Sequence, residues 1–140
     1  MHLRELPADA LLHLRADEPR IAETVDALAG ARGLVLTTPV YKAAYSGLLK
    51  TWLDLLPQHA LRGKLVLPLT TGGSAAHALA LDYALRPVLQ SMSPAHVLSG
   101  WHVFEKQLVA TADGAFTLDV DADAKLRELV GELVTALERD

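Results

Sequence analysis

Two short clusters, each placed directly after a run of apolar residues, carry what chemistry this sequence offers. The first is Thr38-Pro39-Val40-Tyr41-Lys42, which follows Gly33–Thr37. The second is Thr71-Gly72-Gly73-Ser74, which follows Leu65–Thr70. Apolar runs of this length suit one buried strand and are too short for a helix. Each cluster therefore sits at a strand exit, and in open parallel sheets ligands bind beyond the carboxyl ends of the strands. Pro39 presets its own φ and drives Thr38 out of the helical region, which fixes the direction of the first exit. Gly72 and Gly73 let backbone approach a flat ligand closely, although two glycines alone are weak evidence. Ser46 is an N-cap for the helix that follows, and a helix start can receive an anion or a partly negative ring edge. The pattern fits a two-walled cleft for a flat ligand. The alternative is a pair of ordinary strand-to-helix connections.

Other chemistries find little support. The chain has no cysteine, so neither a disulfide framework nor a thiol mechanism is available. No metal-ligand spacing, G-x-S-x-G elbow or Walker loop occurs. A net charge of −4 with scattered Lys and Arg argues against nucleic acid as the main partner. Half the residues are apolar (51%), yet no apolar run approaches the roughly 20 residues of a membrane span. The start, MHLRELPAD, lacks the basic-then-apolar pattern of a secretion signal. These features predict a cytoplasmic protein whose residues 1–140 form a single domain.

The elements that must position the two clusters can be taken in chain order. His2–Leu6 predicts a half-polar edge strand, ended by Pro7. Pro19–Ala29 predicts a helix with Ile21, Val25 and Leu28 on one face and Gly30 as its stop. Thr38–Ser46 reads as a turn-rich link, and from Gly47 to Leu56 apolar residues recur at helical spacing. Ala75–Gln90 is a helix that is apolar nearly all round, with His77, Asp82, Arg86 and Gln90 as its polar positions. Such a helix is buried, in part against another subunit, with Leu81 and Leu85 as contact residues. Its polar spacing of five, four and four allows either one looped-out residue in a π-turn or a plain helix kinked by Pro87. His77 is open to two readings, a nucleotide contact or a packed, hydrogen-bonded histidine. His96–Phe104 predicts the last parallel strand. Asp113-Gly114 predicts a hairpin between Leu108–Ala112 and Ala115–Leu118. Leu126, Leu129, Val130, Leu133, Val134 and Leu137 then define an amphipathic helix with Asp121 as its cap.

The blocks Leu34–Leu56 and Leu65–Leu89 contain TPVYKAAYSGLLKTWLDLLP and LPLTTGGSAAHALALDYALRPVL. Together they resemble the NAD(P)H-dependent FMN reductases, in particular those that supply reduced FMN to alkanesulfonate monooxygenases. The resemblance implies a flavodoxin-like α/β fold, with a parallel sheet flanked by helices, and hydride transfer from NAD(P)H to FMN. It implies that the flavin ring is bound by Thr38, Pro39, Val40, Tyr41 and Lys42 on one side and by Thr71, Gly72 and Gly73 on the other. No side chain is implied as catalytic. It further implies a flavin-dependent monooxygenase as partner, a homodimer or homotetramer formed through Ala75–Gln90, and a π-helix there that carries Tyr83. Relatives open with an additional strand and a Ser/Arg phosphate loop, and no SxRxxS-like segment occurs here. The expectation is a chain lacking the first βα unit, with an exposed edge on the Gly33–Thr37 strand and weak FMN binding. The rival functions are a flavodoxin-type electron carrier and a catalytically silent family member.

Overall fold

The computed structural model describes residues 1–139. The chain begins with a single tight turn at Leu3–Glu5, and Pro7 leads into a short helix, α1 (Ala8–Leu12). The edge strand expected at His2–Leu6 is therefore absent. Leu3 and Leu6 both pack on the core. A tight turn brings positions i and i+3 to one side, whereas a strand would send them to opposite faces. Helix α2 (Pro19–Gly30) follows, with Pro19 in its first turn and the Glu18 carboxylate accepting from the Ile21 amide.

Strand β1 (Gly33–Tyr41) runs four residues past the expected Thr37, because Leu36, Thr38 and Val40 keep alternating into the core. A two-residue strand β2 (Ala44–Tyr45) folds back on it, and Ser46 caps α3 (Gly47–Leu55) as predicted, accepting from the Leu49 amide. Strand β3 (Leu65–Gly72) is the centre of the sheet, buried along nearly its whole length.

The segment after it is not one α-helix. It comprises a tight turn at Ala75–Ala78, a π-turn at Leu81–Leu85, and α4 (Arg86–Ser91), with Pro87 harmlessly in the first turn of α4. Asp82 and Arg86, four residues apart, share one face, where Arg86 Nε donates to Asp82 Oδ1 at 2.8 Å.

His96–Phe104 also divides, into β4 (His96–Val97) and β5 (Trp101–Phe104), both parallel to β3. Between the pairs Val66↔Val97 and Leu69↔Trp101 the outer chain has one residue more than β3, so a bulge forms opposite Pro68. Gly100 makes the bulge possible: its φ is +75°, and a Cβ there would lie 2.4 Å from the Pro68 carbonyl oxygen. The hairpin appears as β6 (Leu108–Ala110) and β7 (Phe116–Leu118). Helix α5 (Val120–Arg139) closes the chain. Its cap is Asp119, which accepts from the Ala122 amide at 2.8 Å; the expected Asp121 lies inside the helix instead.

The sheet order is β2-β1-β3-β4, with β5 on the same edge of β3 as β4. Only β2 is antiparallel. Leu36 and Val66 bury one face against Ile21 and Leu28 of α2, Leu49, Trp52 and Leu53 of α3, and Leu85 and Leu89. Leu65, Leu67 and Leu69 bury the other against Leu129 and Leu133 of α5. From Gly33 to Pro39, β1 pairs with β3 on one edge, and among the described residues its other edge gains a partner only at Val40 and Tyr41. No helix is long and apolar enough to cross a membrane among the described residues.

Candidate functional site

The parallel register Thr38↔Thr70 and Pro39↔Thr71 sets the ends of β1 and β3 side by side. Beyond it the strands part company: β1 turns into the hairpin with β2, while Gly72 pairs with Phe104 of β5. The two sequence clusters therefore leave neighbouring strands at the carboxyl end of the sheet.

The first wall is braced from within. Thr38 is only 2% exposed. Its Oγ1 accepts from the Ser46 amide at 3.0 Å, and its hydroxyl lies 3.2 Å from Ser46 Oγ and 3.1 Å from the Pro39 carbonyl oxygen. Ser46 in turn caps α3, so one small network locks strand exit to helix start. Thr38 and Val40 point inward and can offer a ligand only their backbone, whereas Tyr41 and Lys42 are exposed. Lys42 and Ala43 form the hairpin tip with φ of +51° and +61°. A two-residue hairpin with both φ values positive favours Asn-Gly; a side chain there costs roughly 1–2 kcal/mol per residue. Strain of this kind concentrates at binding sites. Ala43 thus joins the candidate set, and no turn signal in the sequence could have found it.

Tyr45 packs against the core, and burial pushes its phenol up, with Lys50 opposing and Asp54 adding to the shift, so the hydroxyl stays neutral. A cavity of about 330 Å³ opens beside this wall, lined by Met1–Arg4 together with Pro39, Tyr41, Ser46 and Leu49.

The second wall follows from β3. Thr71 is half-buried, Gly72 buried and Gly73 exposed. A Cβ on Gly72 would lie 2.9 Å from His77 Nδ1, and one on Gly73 would lie 3.0 Å from Glu105 Oε2. Glycine is needed at both positions because His77, His102 and Glu105 already take the space a side chain would occupy. His77 is half-buried against Gly72 with its Nδ1 buried and unbonded, and the buried His102 lies beside it. His102 and Glu105 have no spacing signal in the sequence; only the pairing of β5 with β3 brings them here. No group of His, Cys, Asp or Glu suited to a metal ion occurs among the described residues.

Comparison with known proteins places this geometry in context. The profile of the NADPH-dependent FMN reductase family matches residues 1–108. An FMN reductase (NADPH) of Pseudomonas putida is 51% identical over 112 residues, which cover 80% of this chain and 56% of that protein. An FMN reductase (NADPH) of Escherichia coli is 49% identical over 108 residues, 77% of this chain and 56% of that protein. Among solved structures, the apo form of an NADH:FMN oxidoreductase (EMOB) superposes with a TM-score of 0.84 at 41% identity, covering 97% of this chain and 70% of that one. The flavodoxin-like α/β fold implied by the sequence is thus the fold observed. The chain spans about half the length of the curated relatives it matches. With the match to the family profile running over most of its residues, the chain belongs to the NADPH-dependent FMN reductase family.

Proposed function

We propose that this chain holds the ring of FMN in the crevice between Thr38–Lys42 and Thr71–Gly73, for reduction by NAD(P)H. The observation that carries the reading is the register Thr38↔Thr70 and Pro39↔Thr71, which sets two loops of the family pattern side by side at the carboxyl end of the sheet. Backbone of Pro39–Lys42 forms one wall, held in place by the Thr38–Ser46 network. Backbone of Thr71–Gly73 forms the other, backed by His77, His102 and Glu105, which take the space that side chains at the two glycines would need. The capped amino end of α3 lies next to the crevice and favours a ring edge that becomes negative. Bound FMN itself supplies the hydride chemistry with NAD(P)H, so no side-chain acid, base or nucleophile is assigned.

The reduced flavin is passed to a flavin-dependent monooxygenase. Two or four chains associate through Ala75–Gln90, where Leu79 is 58% and Tyr83 80% exposed. Leu81 and Leu85, expected as contact residues, are buried in this chain's own core and take no part. The test follows nicotinamide absorbance with excess FMN, alongside an FMN titration. Oxidation above the protein-free background supports a reductase. Binding without oxidation supports an electron carrier, and neither binding nor oxidation overturns the reading.

A further inference from the structure

Beneath the glycine loop lie two imidazoles whose free nitrogens have no partner. His102 is 6% exposed, and its Nδ1 is 2.9 Å from Thr70 Oγ1, itself fully buried. His102 Nε2 and His77 Nδ1 are both buried and make no hydrogen bond. The two rings meet at Gly72: the point a Cβ would occupy there is 2.9 Å from His77 Nδ1 and 3.2 Å from His102 Cε1. Phe104 packs edge-on against His102 with centroids 5.2 Å apart. Two buried polar nitrogens without partners are costly, on the order of 1–3 kcal/mol each, unless they satisfy one another. Neutral imidazoles can do so. If the Thr70 hydroxyl donates to His102 Nδ1, His102 Nε2 carries the proton and His77 Nδ1 accepts; with Thr70 as acceptor the roles reverse. In either tautomer both rings can be neutral together, side by side against Gly72.

We propose that His77 and His102 form a neutral imidazole pair that clamps Gly72, making both positioning residues for the glycine loop and making FMN binding fail in mild acid. This rests on the flavin reading above and adds to it the groups that hold one wall in shape. Protonating His102 puts a charge on a buried ring, and protonating His77 as well puts two like charges side by side against Gly72. The charged groups nearby do not relieve this. Asp82 lines the cavity beside His102 but is paired with Arg86 at 2.8 Å. Glu105 lies against Gly73, and Lys106 sits 5.5 Å from the centre of the Phe104 ring, adding positive charge. Burial accordingly holds the His102 imidazole below its ordinary value of 6.5, a backbone group of Gly72 opposes that shift, and His77 adds to it. The unfolded chain then takes up the proton more readily than the folded one. The clamp is intact above pH 6.5 and loses stability as pH falls below that value.

The test combines FMN titrations with histidine NMR of the ligand-free chain. Between about pH 7.5 and about pH 5.5 the FMN dissociation constant of the wild type should rise about tenfold or more. The FMN phosphate also titrates in this range, so the control is His102→Phe, which keeps an aromatic ring and removes the titrating group. Its profile should be flatter, and its affinity at neutral pH lower. His102→Asn, which can still bond Thr70, should recover most of that affinity. In the ligand-free wild type, the His102 ring proton should titrate below the free-histidine value, and His77→Gln should move that midpoint. Identical pH profiles for wild type and His102→Phe overturn the positioning role. An unmoved His102 midpoint in His77→Gln overturns the pair. Absence of FMN binding at every pH refutes the flavin reading instead, and the NMR titration still decides the pair.

Discussion

Replacing Thr38 with valine removes one oxygen and almost no volume, and it tests the brace on which the first wall depends. The lost Oγ1 accepts from the Ser46 amide at 3.0 Å and lies 3.2 Å from Ser46 Oγ. Valine fills the same space, so no cavity term enters, and the cost comes from the Ser46 N–H left without an acceptor. A stranded buried donor costs about 1–3 kcal/mol. Ser46 is only half-buried, so water can partly replace the acceptor, which puts the expected loss at about 1–2 kcal/mol. With an unfolding entropy of roughly 2.1 cal/mol/K per residue, 140 residues give about 0.3 kcal/mol/K, so Tm should fall by about 3–7 °C. Thr38→Ser, which keeps the oxygen, should lose less. A cycle with Ser46→Ala should show coupling above about 0.5 kcal/mol, since the two residues share a bond. FMN affinity should drop in Thr38→Val, because strand exit and helix start are no longer tied. A Tm within a degree or so of wild type, or additivity with Ser46→Ala, would refute the brace.

Three further substitutions probe other parts of the account. Gly73→Val should weaken FMN binding with little loss of stability, since the crowded neighbour, Glu105, is a flexible side chain; equal affinity in a titration removes Gly73 from the site. Leu79→Glu with Tyr83→Glu should yield monomers in light scattering while leaving far-UV circular dichroism intact. A wild type already monomeric at working concentration contradicts that interface. Thr24→Val should destabilise by about 1–3 kcal/mol in denaturant unfolding, because Thr24 Oγ1 accepts from buried Trp52 Nε1 at 2.8 Å; a change under about 0.5 kcal/mol would show that the indole finds another partner.

The sequence revealed the parts of this fold that rest on local signals. Ser46 and Pro19 mark helix starts with groups that act within one turn, and both held; Gly30, expected as the stop after Ala29, is instead the last helical residue, with Ala31 as the cap. The polar spacing of Ala75–Gln90 left a π-turn and a Pro87-kinked helix both open, and Leu81–Leu85 takes the π form. What escaped depends on distant partners. Whether Leu3 and Leu6 form a strand is decided by a core they share with α3, not by their own pattern. The bulge at Gly100 follows from its placement opposite Pro68, a residue 32 positions earlier in the numbering. The placement of the two clusters at two strand exits was legible, but not what surrounds them. Thr38 faces inward, the hairpin tip at Lys42 and Ala43 is strained, and His102 lies under Gly72. Each of these is set by register between strands that the sequence leaves unspecified.

The central claim is that FMN is held between the ends of β1 and β3, and amide NMR of the chain titrated with FMN tests it most directly. The account predicts saturable shifts concentrated at the amides of Val40–Lys42 and Thr71–Gly73, with smaller ones at the start of α3, and little change in α5. Shifts centred on α5 or the β6–β7 hairpin, or a spectrum unmoved by excess FMN, would contradict it.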